Sequence, residues 1–174
     1  MKIIKTKLNN FIIYHNKIKD NRGFLMRSFC KNLYKKSGIN FEIKQTNFSY
    51  NKKKLTLRGF HYQKEPFSEN KIITCINGKI LLVLLDINKK SKNYLKYNKI
   101  TLSSDLKKSI LVSKNCATAF LTLKSETSVL YYMSNFYKEA KGAGIRYNDP
   151  KLRISWPFKP KIISLKDANF KNIV

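Results

Sequence analysis

With 174 residues and a 43% hydrophobic fraction, the chain can bury one ordinary core, which excludes a disordered or collagen-like protein. The longest apolar run, residues 80–85, is too short to span a bilayer, and the N-terminus shows no secretory signal pattern. Lys and Arg outnumber Asp and Glu by 36 to 10, but these basic residues are scattered rather than clustered. We therefore expect one cytoplasmic domain over residues 1–174 with no nucleic-acid and no membrane partner, although the charge suits an anionic ligand.

Short apolar stretches separated by turn residues predict a mainly β chain. The first predicted strand, Phe11–Tyr14, precedes a turn at residues 19–23 and a helix over residues 29–36. Further strands are predicted over residues 43–49, 55–62, 71–76, 79–86, 97–102, 109–112, 119–123 and 128–136. Asn77-Gly78 favours a two-residue hairpin turn between two of them.

The region from Tyr137 onward is richer in Gly and Pro and is expected to wrap the outside as loops, with a short helix near the C-terminus. Many short strands at regular spacing in a chain of this length predict a β-sandwich or barrel.

Cysteine and histidine usage argues against a metal site. The three cysteines, Cys30, Cys75 and Cys116, form no CxxC pair and are expected to be small core residues in a reducing compartment. The two histidines, His15 and His61, are far apart in the sequence and form no HxH pair. No Gly-rich dinucleotide motif occurs either, so we expect neither a metal nor a cofactor.

The strand around His61 has polar side chains on both faces, which is unusual for a core strand. A strict two-residue alternation places Gly59, His61 and Gln63 on one face and Arg58, Phe60 and Tyr62 on the other. A lone histidine on a strand is more often structural, but these neighbours make His61 a candidate base, since its ordinary pKa is about 6.5.

Seven sequence blocks resemble, in order, those of the nucleotide-sugar 3,5-epimerases typified by dTDP-4-dehydrorhamnose 3,5-epimerase. They are residues 20–24 (DNRGF), 45–49 (QTNFS), 58–63 (RGFHYQ), 71–78 (KIITCING), 129–131 (VLY) with 148–150 (NDP), 154–157 (ISWP) and 164–167 (SLKD). The resemblance implies a cupin-type jelly roll with short peripheral helices. It also implies a homodimer in which the subunits exchange N-terminal segments.

The resemblance further implies epimerisation at C3, C5 or both of a nucleotide-linked 4-keto-6-deoxy sugar, serving surface polysaccharide synthesis. A 4-keto group acidifies the neighbouring C–H bonds, so inversion needs a base, an enolate stabiliser and an acid on the opposite face. By resemblance, His61 is the base, Asp167 orients it, Lys71 stabilises the enolate and Tyr131 is the acid. Without the family, Tyr131 reads more simply as a packed aromatic.

Six further residues are candidates for binding the nucleotide-diphosphate sugar. Arg22 and Arg58 offer guanidinium groups to the diphosphate, and Gln45 and Asn47 share one strand face from which they can hydrogen-bond the substrate. Phe24 and Thr118 are the two remaining candidates for binding the substrate. Trp156 either covers the base or fills the barrel.

Two positions depart from the family pattern. The family's A-H-G-F strand reads Ala117-Thr118-Ala119-Phe120, and Arg27 stands where many members carry a glutamate. Threonine cannot carry a positive charge or shuttle protons near neutral pH. The nucleotide (dTDP or GDP), the sugar (hexose or heptose) and the number of inverted centres (one or two) therefore stay open. The alternatives are a C3-only epimerase, a sugar 3,4-ketoisomerase and a catalytically silent nucleotide-binding relative. The single histidine in the signature argues against a ketoisomerase, and the presence of His61, Lys71 and Tyr131 argues against a silent protein.

Overall fold

The computed structural model describes residues 1–6 and 8–173 and shows a mainly antiparallel β structure. The strands are β1 (Lys2–Lys5), β2 (Phe11–Tyr14), β3 (Lys17–Asp20), β4 (Gly23–Met26), β5 (Gln45–Asn51), β6 (Leu57–Gln63), β7 (Lys71–Asn77), β8 (Lys79–Asp86), β9 (Tyr97–Ser103), β10 (Lys108–Val112), β11 (Cys116–Thr122), β12 (Thr127–Met133) and β13 (Gly142–Gly144). The helices are α1 (Lys31–Lys36), α2 (Leu165–Ala168) and a 3-10 turn at Glu139–Lys141.

Two sheets face each other as a jelly-roll sandwich of the cupin type, which confirms the predicted fold class. One sheet has the order β1-β2-β10-β7-β12-β5, and the other has the order β13-β6-β11-β8-β9. The hairpin β3-β4 stands apart from both sheets. The main core fills the space between the sheets and consists of Ile73, Cys75, Ile80, Leu82, Leu84, Leu102, Ile110, Val112, Phe120 and Val129.

Each sheet is also covered on its outer face. The segment containing α1 packs on the first sheet through Tyr34, Ile39 and Phe41. The C-terminal segment covers the second sheet, where Trp156 packs against Phe60 at a ring-centroid distance of 6.4 Å. Trp156 therefore packs on the outer face of the second sheet, so it neither fills the barrel nor lines the cavity between the sheets.

The predicted strands and the Asn77-Gly78 hairpin are confirmed, with shifts of a few residues at the ends. Helix α1 begins at Lys31, two residues later than predicted, because Cys30 has an extended backbone with φ −154°. Strands β1, β3, β4 and β13 were not predicted. β1 and β3 are short and lysine-rich, β4 directly follows the predicted turn, and β13 lies in the Gly-rich region that was expected to form loops. No helix in the described part of the chain is long and apolar enough to cross a membrane.

The two-residue alternation predicted for β6 is wrong at Arg58. On β11, Thr118 pairs with His61 and Phe120 with Arg58, so two steps on β11 match three steps on β6. This bulge turns Arg58 to the same side as His61, whereas Phe60 packs into the cluster on the other side. Two polar side chains three residues apart thus share one wall.

Gly59 lies inside this bulge, and we expect Gly59→Ala to destabilise the fold strongly. Its φ is +105°, and an added Cβ would overlap the carbonyl oxygen of Thr118 and lie 2.9 Å from the Cα of Ala119. The strained backbone and the overlap together should lower the free energy of unfolding by about 2–6 kcal/mol. Urea denaturation measures this change. Gly38→Ala is the matched control, because Gly38 also has a positive φ but no atom within 4 Å of the added Cβ. Equal losses in the two variants would contradict the role of the close contact.

A buried polar chain crosses the first sheet at His15. The Nδ1–H of His15 donates to the carbonyl of Arg27 over 3.2 Å, and Nε2 accepts from the Ser109 hydroxyl at 2.7 Å. The Ser109 hydroxyl also lies 2.5 Å from that of Thr74. Burial lowers the pKa of His15 below its usual value, and the positive chain terminus adds to this, while the bond to Arg27 opposes it.

We expect acidification below pH ~6.5 to destabilise the protein through His15. The histidine of the unfolded chain takes up a proton before the buried one does, so falling pH favours unfolding, by at most about 1.4 kcal/mol per pH unit for one proton. Thermal unfolding between pH 7 and pH 5 should therefore show a smaller loss of stability in His15→Gln than in the wild type. Parallel losses in both proteins would remove His15 as the source.

Candidate active site

A cavity of about 660 Å³ opens between the two sheets, and its volume lies in the range usual for small-molecule binding sites. Strands β5, β6, β7, β11 and β12 form its walls, and the segment around α2 closes one side. The predicted residues that line it are Asn47, Arg58, His61, Lys71, Thr118, Tyr131 and Asp167. The fold therefore gathers seven of the ten predicted site residues around one space.

His61 and Asp167 form a hydrogen-bonded pair although they lie 106 residues apart in the sequence. Nε2 of His61 is 2.8 Å from Oδ1 of Asp167, and the other carboxylate oxygen accepts the Gly59 N–H at 2.8 Å. Ser164 begins α2 by accepting the N–H of Asp167 at its side chain, which fixes the direction of the carboxylate. Burial opposes ionisation of Asp167, but the bonds from His61 and Gly59 outweigh it and lower the pKa of Asp167.

This pairing determines which nitrogen of His61 is basic. A carboxylate accepts, so Nε2 carries the hydrogen and Nδ1 keeps its lone pair. The ring of Phe170 lies edge-on to the imidazole at 5.9 Å between centroids. Phe170 occupies the space beside Gly144, whose missing Cβ would overlap the phenyl ring. The C-terminal segment thus contacts His61 twice, through a carboxylate and through an aromatic ring.

Tyr131 enters the cavity from β12, where it pairs in register with Asn47 of β5. Burial raises the pKa of Tyr131 above its usual value, and the positive charge of Arg58 offsets part of this rise. The phenol is therefore neutral near pH 7 and can donate a proton. Its neighbour Tyr132 points to the opposite face, and its hydroxyl lies 2.9 Å from that of Ser28.

Lys71, at the start of β7, is almost buried and forms an ion pair. Its Nζ lies 2.9 Å from Oε1 of Glu69, whose side chain is 1% exposed. Both residues line the cavity. The site therefore contains a second cationic side chain, in an ion pair, in addition to Arg58.

The binding candidates inside the cavity are also held by neighbours. Nε of Arg58 donates to Oδ1 of Asn51 over 2.8 Å, which directs the guanidinium. Gln45 donates to Oδ1 of Asn47 over 3.0 Å and accepts the N–H of Tyr137. Gln45 therefore lies behind Asn47 and outside the lining itself.

Arg22 and Phe24 are not brought to the cavity of a single chain. Both lie on the hairpin β3-β4, where Arg22 pairs with Asp20 at 2.7 Å and the Lys17 ammonium lies over the Phe24 ring at 3.8 Å. Arg27, which follows this hairpin, is also outside the cavity lining. Asp149 has a structural role: it is buried and accepts the N–H groups of Lys151 and Ile173.

Among the residues of the site that escaped the sequence analysis are Glu69, Asn51 and Phe170. Glu69 and Lys71 are two apart, so a strand pattern places them on one face, and that spacing was a usable signal. Asn51 and Phe170 gave no signal, because their contacts depend on register and on the docking of the C-terminal segment. Within residues 1–6 and 8–173, no group of three His, Cys, Asp or Glu side chains could hold a metal ion.

Comparisons with known proteins identify the family of this chain. The family model for dTDP-4-dehydrorhamnose 3,5-epimerase matches residues 5–174. The Shigella flexneri protein of that name is 33% identical over 100% of this chain and 97% of its own. A Bacillus anthracis dTDP-4-dehydrorhamnose 3,5-epimerase, solved with TDP and PPi bound, superposes with a TM-score of 0.96 at 31% identity, covering 99% of both chains. A Legionella pneumophila epimerase in complex with dTDP-4-keto-L-rhamnose has a TM-score of 0.92 at 30% identity, covering 98% of this chain and 92% of its own.

The family match and the relatives, together with the cupin-type jelly roll, define an isomerase, and more narrowly a nucleotide-sugar epimerase. The family match and the Shigella flexneri relative both extend over nearly the whole chain. The chain belongs to the dTDP-4-dehydrorhamnose 3,5-epimerase family.

Proposed function

We propose that this single-domain chain inverts C3 and C5 of a dTDP-linked 4-keto-6-deoxyhexose without a cofactor. The observation that carries the proposal is the His61–Asp167 pair at 2.8 Å in the same cavity as Lys71 and Tyr131. These groups supply the base, the cation and the acid that inversion next to a ketone requires.

In the proposed reaction, Nδ1 of His61 removes the proton from C3 or C5. The electrons of the broken C–H bond form a C=C bond, and those of the C4 carbonyl move to its oxygen, where the Lys71 ammonium stabilises the negative charge. Tyr131 then gives its proton to the carbon from the opposite face, and the carbonyl re-forms. The resulting His61 imidazolium and Tyr131 phenolate return to their starting states by proton exchange with solvent, and Asp167 stabilises the imidazolium meanwhile.

The nucleotide assignment rests on the relatives. The Bacillus anthracis protein holds TDP and the Legionella pneumophila protein holds dTDP-4-keto-L-rhamnose, each at about 30% identity to this chain. In this chain, Arg58, directed by Asn51, is the group we assign to the diphosphate, with Asn47 and Thr118 contacting the sugar.

We also propose a homodimer in which the hairpin β3-β4 carries Arg22 and Phe24 to the partner's cavity. The hairpin is strongly apolar where it meets solvent: Ile18, Phe24 and Leu25 are 69%, 58% and 71% exposed. Such a patch on a two-stranded ribbon is a feature of surfaces that become buried on association. We place the protein in the cytoplasm, since its three free cysteines fit a reducing compartment. We assign its activity to surface polysaccharide synthesis.

Deuterium incorporation tests the function. The protein is incubated in D₂O with 4-keto-6-deoxy sugars linked to dTDP or GDP, and NMR and mass spectrometry locate the deuterium. We expect label and inversion at both C3 and C5 of the dTDP-hexose. Label at C3 only would instead identify a C3-only epimerase. The structural reason to test for this outcome is Thr118, which pairs with His61 across the two strands. No label from any 4-keto sugar would contradict the proposal.

A further inference from the structure

Glu69 is a buried carboxylate with no role in the reaction as proposed so far. Its side chain is 1% exposed, and it lies in the wall of the cavity next to Lys71. A buried carboxylate costs several kcal/mol unless it is paired and hydrogen-bonded. Glu69 meets this condition in part: Oε1 forms an ion pair with the Lys71 ammonium at 2.9 Å but has no hydrogen-bond partner among the described residues, whereas Oε2 contacts the side-chain amide of Gln63.

The orientation of Gln63 is set by its other partners. Its Oε1 accepts the backbone N–H of Lys138 at 2.7 Å, which places the amide nitrogen on the opposite side. There Nε2 donates toward the carbonyl oxygens of Phe67 at 3.0 Å and Phe136 at 3.1 Å, and toward Glu69. Gln63 therefore presents a donor to the carboxylate and leaves Oε1 of Glu69 for Lys71.

Two strands become connected in this way. Gln63 lies two residues after His61 on β6, and Glu69 lies two residues before Lys71 of β7. The chain of contacts Gln63–Glu69–Lys71 thus links the strand that carries the base to the strand that carries the cation. A lysine ammonium on its four-carbon stem is flexible by itself and is placed only by such partners.

We propose that Glu69, held by Gln63, is the positioning residue that fixes the Lys71 ammonium at the sugar C4 oxygen. This inference rests on the enolate-stabilising role proposed for Lys71. Glu69 touches no reacting atom and acts through Lys71 alone. Because the negative charge on the C4 oxygen develops only in the transition state and the enolate, a displaced Lys71 should slow turnover and leave substrate binding nearly unchanged.

The test is a double-mutant cycle. Glu69→Gln keeps the size of the side chain and removes its charge, and we expect kcat to fall by about 10²-fold with little change in KM. In a Lys71→Met background, the same substitution should lower kcat no further, since its effect passes through Lys71. Glu65→Gln is the matched control, because Glu65 is an exposed carboxylate in the same loop, bonded to Ser68.

A second measurement does not depend on activity. In a ¹H–¹⁵N spectrum of side-chain ammonium groups, the signal missing from Lys71→Met identifies Lys71, and Glu69→Gln should abolish or shift it while Glu65→Gln should not. An unchanged signal, an unchanged kcat in Glu69→Gln, or a further large loss in the double variant would overturn the inference while leaving the epimerase proposal intact. If the wild type turns over no 4-keto sugar, the epimerase proposal fails, and the ammonium signal still decides whether Glu69 holds Lys71.

Discussion

Replacing His61 with asparagine should abolish deuterium exchange at the sugar carbons. Asparagine preserves a polar side chain of similar size next to Asp167 but has no basic nitrogen near neutral pH. Loss of a general base costs about 10²–10⁴-fold in rate, so both exchange and inversion should fall by at least that factor. NMR of the substrate in D₂O measures both, and KM should change much less than kcat.

The matched control is His15→Gln, which alters the only other histidine of the chain. His15 is buried against Ser109 on the first sheet and is not part of the cavity lining, so its replacement should leave exchange near the wild-type rate at pH 7.5. Retained exchange in His61→Asn, with the fold intact by circular dichroism, would mean that another group removes the proton.

Replacing Tyr131 with phenylalanine should separate proton abstraction from inversion. His61 and Asp167 remain, so the enolate still forms, and solvent deuterium can return from His61 on the original face. Removal of the phenol takes away the donor on the opposite face, and general acids contribute about 10²–10⁴-fold. The expected result is therefore incorporation of deuterium without net inversion.

Tyr132→Phe is the control for Tyr131→Phe, because the two tyrosines are adjacent on β12 and point to opposite faces. Loss of the Tyr132 hydroxyl removes its contact with Ser28 and should leave inversion unaffected. Unimpaired inversion in Tyr131→Phe would exclude Tyr131 as the acid. If the two variants lose inversion equally, a general disturbance of β12 is the cause.

The sequence predicted most strands because their apolar residues and turn signals are local. Asn77-Gly78 marked the hairpin between β7 and β8. The resemblance to the epimerase family pointed to His61, Lys71, Tyr131 and Asp167, which line one cavity. Arg22 and Phe24 had the same standing in the sequence, but in a single chain they lie on a separate hairpin.

The sequence by itself determined which side chains are available for chemistry and which stretches pair as strands, since both depend on residue type and near neighbours. Only the tertiary structure decided how those side chains meet. The bulge at Gly59 turned Arg58 toward His61, against the simple alternation. The pairing of His61 with Asp167 spans 106 residues, and Glu69 is held between Lys71 and Gln63, which lie on two different strands. Such contacts are set by register and by packing between distant segments, which no local pattern encodes.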